Sequence, residues 1–316
     1  MMMKNNVYGL IGIKAVNANW NADFSGKPKR LPNGRYFGSD KALKYAMRKF
    51  WELQGHNVLF MKKRVRTADD NIVDATLADR YAELFGNDLK SDNRAVILQN
   101  ILRTVDARQF GFTFAGGKGK DISSVGPVQI GTGPNLCQTS MIFNNDLMSP
   151  FRNVSDTGKD AKKEKEDEKK KEKSKASITT EYLVDRADYA YPFSIMPANM
   201  GFGNDFRIEG DEYTDEDFDL FKRAAATCAN SVTSCTKGGT YNEYLLIVEA
   251  SDRRLYLKNF ETMVTLEGDT LVLDRLMEYL SYFGDRIASV TLWYDDTCIS
   301  TGDYKGLEKR KIYELQ

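Results

Sequence analysis

Histidine is almost missing from this sequence: His56 is the only one in 316 residues. A histidine-rich metal centre or a paired-imidazole nuclease is excluded, although a Ser/His/Asp triad could still use the single imidazole. The four cysteines, Cys137, Cys228, Cys235 and Cys298, form no CxxC pair. The chain therefore offers neither a zinc ribbon nor a thioredoxin-type centre, and nothing suggests a disulfide framework. No run approaches the ~18–20 apolar residues of a membrane span. The apolar stretch Val7 to Val16 contains Gly9, Gly12 and Lys14 and no small-residue cleavage site, which makes it a poor signal peptide. These absences point to a soluble, cytoplasmic chain with reduced thiols and no membrane partner. The glycine-rich stretches at 116–119 and 201–203 lack the lysine and hydroxyl of a phosphate loop and read as turns, so no cofactor is implied.

Net charge is also missing, because 45 Lys/Arg balance 45 Asp/Glu. The balance hides an asymmetry. Residues 1–66 hold 14 Lys/Arg against 3 Asp/Glu, a net of +11, and the remainder carries −11. A neutral chain with one strongly basic segment has an electropositive face suited to a polyanion. With 41% hydrophobic residues the chain can build a substantial core, which excludes wholesale disorder.

The spacing predicts a buried first strand over Val7 to Val16, then an exposed, flexible basic loop from Asn19 to Gly38. Ser39 caps a predicted helix whose apolar positions Leu43, Ala46, Met47, Phe50 and Leu53 recur at helical spacing, with Lys41, Lys44 and Arg48 on another, exposed face and Gly55 ending it. A second strand is predicted over Asn57 to Arg66, helices over 72–85 and 93–104, and a strand over Val105 to Phe114, where Phe110, Phe112 and Phe114 alternate. Their alternation fits a buried sheet face better than base-stacking rings. A short strand follows within Gly126 to Gly131. From Lys159 to Lys175, 15 of 17 residues are charged, with mixed sign, so this run buries no core. Strand character resumes from Ser177 to Ile195. Thr214 with Asp217 opens a helix from Phe218 to about Cys228. Tyr244 to Glu249 reads as a strand, Leu271 to Phe283 as an amphipathic helix and Ile287 to Tyr294 as a closing strand. The sum is an α/β (α+β) chain of ferredoxin-like type, built on a mostly antiparallel sheet with a long insertion.

Lys27, Lys29, Arg30 and Arg35 on the loop, with Lys44 and Arg48 one turn apart on the next helix, suit a winding phosphate backbone better than one small anion. Asp23 is a lone carboxylate in that loop, weak grounds for a metal or a catalytic base.

Several blocks occur in the order Ser39-Asp40 leading to Leu43-Lys44 and Arg48, then Asp106 and Arg108 before Phe110-Gly111, Gly126-Pro127-Val128-Gln129-Ile130, and Tyr213 to Gly239 with Thr214, Asp217, Ser231, Ser234 and Lys237. In that order the sequence resembles the CRISPR-associated Cas-seven family, the backbone subunit of type I Cascade effectors, nearest its I-B branch. The resemblance implies a modified RNA-recognition-motif fold shaped like a right hand, with palm segments over 1–134 and 183–316 and a thumb insertion over 135–182. It implies a subunit that polymerises along the guide RNA (crRNA) and presents it for pairing with target DNA. It further implies partner Cascade subunits, among them a Cas-five-like one and a large one, and a recruited helicase-nuclease that does the cutting. Candidate RNA contacts are Asn19, Asn21, Lys27, Lys29 and Arg30 on the loop, Lys44 and Arg48 on the helix, and Arg108, Gln129 and Lys237 in the later blocks. Type III relatives cleave RNA with a loop aspartate, so an endonuclease using Asp23 is the alternative; a generic RNA-binding assembly protein is another.

Overall fold

The computed structural model describes residues 1–316 except 87–88, 90–92, 117–118, 153–175 and 201–209. In chain order the first half comprises β1 (Val7–Ala18), β2 (Phe37–Gly38), α1 (Asp40–Leu53), β3 (Arg64–Arg66), β4 (Ile72–Asp74), α2 (Leu77–Phe85), α3 (Arg94–Ile101), α4 (Val105–Phe110), β5 (Gly111–Phe114), β6 (Ile122–Val125), β7 (Val128–Ile130), β8 (Gly133–Pro134) and β9 (Ile142–Arg152). The second half comprises β10 (Ala176–Ile195), α5 (Asp215–Thr227), β11 (Thr240–Ala250), β12 (Thr265–Glu267), β13 (Thr270–Val272), α6 (Asp274–Ser281), β14 (Ile287–Tyr294), β15 (Ser300–Thr301) and β16 (Leu307–Lys311).

The main sheet runs β16-β14-β11-β1-β10-β7, with β9 pairing on β10. Every neighbouring pair is antiparallel except β14 with β16. β1 lies between two partners, and its apolar run is continuous because both faces are covered, as in strands buried on both sides. Val7, Ile11, Ile13 and Ala15 meet the core under α1 and α5, whereas Tyr8 and Leu10 face a second core against Leu276 and Leu280 of α6. The chain path β1-α1-β7-β10-α5-β11 thus sets the sheet order β11-β1-β10-β7, with both crossing helices in one core. A third apolar cluster, with Leu59, Tyr81, Ile97, Ile101, Phe112 and Phe114, forms beside them from residues 59–122.

α1 begins as its sequence dictates. The Ser39 side chain accepts from the Ala42 amide, and Leu43, Ala46, Met47, Phe50 and Trp51 are buried. Each large apolar side chain so covered contributes about 1.5–3 kcal/mol. α5 opens on a complete capping box between Thr214 and Asp217, three residues earlier than the apolar pattern alone suggests.

Five expectations need correction. Residues 72–74 are a strand, so the helix expected over 72–85 begins only at Leu77. Residues 105–110 are helix, not strand, and extended backbone starts only at Gly111, whose φ is +75°. Gly111 and Gly126 approach so closely that a Cβ on Gly111 would stand 2.2 Å from the Gly126 nitrogen, and one on Gly126 only 2.1 Å from that of Gly111. The alternating rings are buried, as expected. Over 57–66 only Arg64–Arg66 is a strand, because Val58, Leu59 and Met61 are buried from an irregular segment. Residues 270–272 are a strand, so the helix begins at Asp274. The basic loop is two ordered turns, described below. β16, whose exposed polar residues hide its period, closes the sheet edge beyond β14. Among the described residues, no helix is long and apolar enough to cross a membrane.

Within the expected insertion, β9 and the first part of β10 form a two-stranded ribbon with register from Ala176↔Arg152 to Val184↔Ile142. The charged run 159–175 lies outside the described residues.

Candidate nucleic-acid interface

The basic segment leaves β1 at Ala18 and folds into two stacked turns. In the first, the amide of Asp23 donates to the Lys27 carbonyl, that of Gly26 to the Asp23 carbonyl and that of Lys29 to the Asn21 carbonyl. In the second, Leu31 donates to Arg35 and Phe37 to Lys29. The segment then joins β2, which pairs with β8. Asn19 and Asn21, both buried, hold this structure to the frame. The Asn19 amide donates to the carbonyls of Gly26 and Tyr182, each at 2.9 Å. The Asn21 amide donates to Phe37, and its oxygen accepts from Ser39 Oγ at 2.9 Å, which ties the turns to the start of α1. From the other side Lys237 Nζ donates to the carbonyls of Asn19 and Trp20, and burial pulls its pKa down. These three residues act as struts.

Of the cations they support, Lys27 and Arg30 are exposed and Lys29 is half-buried. Among the described residues, none of Lys27, Lys29 and Arg30 forms an ion pair with a carboxylate. Lys27 lies over the Tyr182 ring at 5.2 Å and Arg30 over Tyr36 at 4.6 Å. Aromatic faces hold these charges without neutralising them. Arg35 is tied by its Nε to the Asn135 carbonyl. Asp23 Oδ1 accepts from Ser25 N, Ser25 Oγ and Lys27 N, and these bonds, that of the Ser25 hydroxyl first, hold its carboxyl below the usual range.

Lys44 and Arg48 do share one side of α1, yet neither is exposed: their side chains retain 17% and 18% of full accessibility. Both lie 5.3 Å from the Phe110 ring. Lys44 pairs with Asp40 at 3.6 Å, and burial lowers its pKa. Arg48 Nε donates to Asp106 at 3.0 Å, a fully buried carboxylate that also accepts from the amides of Leu59 and Phe60. Arg108 sits on the frame as well. Its guanidinium donates to both oxygens of Asp217 and to the carbonyls of Gly210 and Glu212. Burial opposes its charge, but the Asp217 bonds prevail and raise its pKa. Gln129, on β7, donates to the Gly126 carbonyl at 2.8 Å, which secures the close glycine approach. Buried Gln109 has a parallel role that the sequence does not signal: it donates to the Asp217 carbonyl and accepts from Tyr213.

A second charged cluster spans β1, β10 and β11 of the sheet. Lys14 of β1 meets Glu243 at 2.8 Å, Asp188 at 3.6 Å and Asp269 at 3.4 Å, while Arg186 meets Asp188 and Asp269, each at 2.8 Å. Burial and the nearby Asp188 push Glu243 up to about 7, and its Oε2 has no hydrogen-bond partner. Lys14 is held protonated by these carboxylates against the effect of its own burial. Among the described residues no group of three His, Cys, Asp or Glu side chains could hold a metal.

A polar platform of cations without carboxylate partners, held by buried amides, suits an extended phosphate backbone. No curated protein matches the sequence significantly. A chain of a structure described as "CRISPR RNA-guided surveillance complex, pre-nicking" is similar in fold, with a TM-score of 0.55 and 13% identity, over 98% of each chain. The family model for CRISPR-associated protein Cas7 matches residues 5–274. The order of blocks read from the sequence, the fold and the family match agree: the chain belongs to the CRISPR-associated protein Cas7 family.

Proposed function

We propose that this chain is the guide-RNA-binding backbone subunit of a type I Cascade complex, polymerising along crRNA and presenting it for pairing with target DNA. The observation that carries the reading is the set Lys27, Lys29 and Arg30 on a doubly turned platform, none of which forms an ion pair with a described carboxylate. Sequence recognition in such a complex belongs to base pairing, so the protein needs phosphate contacts and shape, not base-edge donors. The path β1-α1-β7-β10-α5-β11 supports reading the core as a modified RNA-recognition motif, the palm, and the β9–β10 ribbon supports reading 135–182 as the thumb. Contact with the guide falls to Lys27, Lys29 and Arg30 first and to the partly open Lys44 second. Asn19, Asn21, Arg48, Arg108, Gln129 and Lys237 act through the positions they fix.

We further infer that the subunit does not cut nucleic acid and that cleavage belongs to a recruited helicase-nuclease. The support is local: Asp23 Oδ1 is engaged by three donors of its own turn. The −11 balance beyond residue 66 offers a complement to the basic face when copies stack or when other Cascade subunits bind. Purification of the tagged chain from cells carrying its operon, followed by sequencing of bound RNA, tests the reading. Repeat-derived guides of uniform length are the expected result; a protein free of RNA and of partner subunits would contradict it.

A further inference from the structure

Phe24 stands at the tip of the first basic turn and is fully exposed, at 113% of the reference accessibility. The other exposed phenylalanine among the described residues, Phe143, keeps only 37%. An aromatic hydrocarbon with no neighbour to cover it gains nothing for folding, since burial is what makes such a side chain stabilising.

Nor does the ring sit on a loose tip. The flanking Asp23 carboxylate accepts from Ser25 N at 2.8 Å, Ser25 Oγ at 2.7 Å and Lys27 N at 3.1 Å. Gly26, at φ +82°, returns the chain, and its carbonyl accepts from the Asn19 amide at 2.9 Å. Ala22 bridges to Pro28. The turn therefore holds the ring outward at little further entropic cost on binding. The chain beside it carries Lys27, Lys29 and Arg30, none of them paired with a described carboxylate. Asp23 is the one opposing charge on the turn.

We propose that Phe24 is a stacking platform for an unpaired base of single-stranded RNA, whose flanking phosphates are taken by Lys27, Lys29 and Arg30. A π-face accepts any base, so the contact is blind to sequence, as a carrier of varied guides requires. Cations beside an aromatic ring combine the two elements of single-strand recognition, whereas a protein partner of apolar character would be poorly matched by the surrounding charge. The inference rests on the RNA-binding reading above, and its test separates the two.

The full-length chain is titrated with a short fluorescent uridine oligonucleotide and with the same oligonucleotide carrying abasic residues. Phe24→Ala and Phe24→Leu should each weaken binding of the intact oligonucleotide by about five- to a hundredfold. Both should bind abasic RNA as the unaltered protein does. The three native tryptophans, Trp20, Trp51 and Trp293, keep only 1%, 0% and 8% exposure, so the indole introduced by Phe24→Trp dominates any quenching at the surface. Intact RNA should quench and blue-shift that emission, and abasic RNA should not. Unchanged melting temperatures are expected in all three variants. Undiminished affinity in Phe24→Ala, or Phe24→Leu binding as the unaltered protein does, overturns the platform while leaving RNA binding in place. If the unaltered protein binds neither oligonucleotide, the RNA-binding reading and the platform fall together.

Discussion

Arg48→Met separates the two roles that a lysine/arginine pair on α1 could have. Asp106 is fully buried and has three donors: Arg48 Nε at 3.0 Å and the amides of Leu59 and Phe60, both at 2.9 Å. Those amides belong to the irregular segment that starts the third apolar cluster, so the carboxylate joins α1 to the 59–122 region. Removing one partner of a buried ion pair costs about 3–5 kcal/mol when the remaining charge is left alone. Here two amide bonds survive, and the charge-assisted bond itself contributes about 1.5–3 kcal/mol. Loss of the Arg48 contact to Phe110 adds about 0.5–1 kcal/mol. The expected loss is therefore about 2–4 kcal/mol, read as a lower urea midpoint with circular dichroism. Lys44→Met, by contrast, removes an i,i+4 pair worth about 0.3–0.5 kcal/mol and the contact with Phe110 at 5.3 Å, worth about 0.5–1 kcal/mol, and should shift the midpoint less than Arg48→Met does. RNA affinity measured well below the midpoint should be nearly unchanged in Arg48→Met. An unshifted midpoint combined with a tenfold loss of RNA affinity would refute the assignment of Arg48 to the frame.

Arg108→Met should destabilise the chain to a similar degree, because Asp217 is buried and caps α5, while leaving the salt dependence of RNA binding unaltered; thermal melts and anisotropy check both. Glu243 gives a pH signature. Its folded pKa, pushed to about 7, lies above the ordinary carboxylate value of 4.5, so the folded state holds a proton there that the unfolded chain releases. That contribution is complete below pH 4.5 and is lost as pH rises through 7. Unfolding midpoints should decline as pH rises from 4.5 to about 7, and Glu243→Gln should flatten that decline; an unchanged slope would exclude Glu243 as its source. With magnesium or manganese present, guide-paired RNA and DNA should stay intact. Regularly spaced cuts that vanish in Asp23→Ala would instead establish an endonuclease.

Elements whose signals are local were legible in the sequence. The capped helix after Ser39, the Thr214–Asp217 box and the strands β1, β11 and β14 needed only period and capping chemistry. Residues 105–110 were not, because alternating Phe110, Phe112 and Phe114 imitate a strand until Gly111 reverses the chain. The irregular burial of Val58, Leu59 and Met61 depends on Asp106, about fifty residues on, which no window reveals. Charge was legible as composition but not as exposure. Lys27, Lys29 and Arg30 have no described carboxylate partner whereas Arg48 and Arg108 do, and the difference lies in Asp106 and Asp217, 58 and 109 residues away. Asn19, Asn21 and Lys237 stood among the candidate residues for RNA contact, and their tying of the turns to the frame, through partners such as Tyr182 that lie far along the chain, was not legible. Phe24, in a loop read as merely basic, gave no signal until its exposure was visible.

The most direct test is the salt dependence of binding to a single-stranded RNA long enough for one subunit, measured by anisotropy from about 50 to 200 mM salt. Each neutralised phosphate on a single strand adds about 0.7 to the slope of log affinity against log salt. The unaltered chain should bind at low salt and weaken steadily, and the combined Lys27→Ala, Lys29→Ala, Arg30→Ala variant should lose about 2 from that slope at an unchanged melting temperature. Absence of binding at the lowest salt, or a slope indifferent to those three cations, would contradict the account.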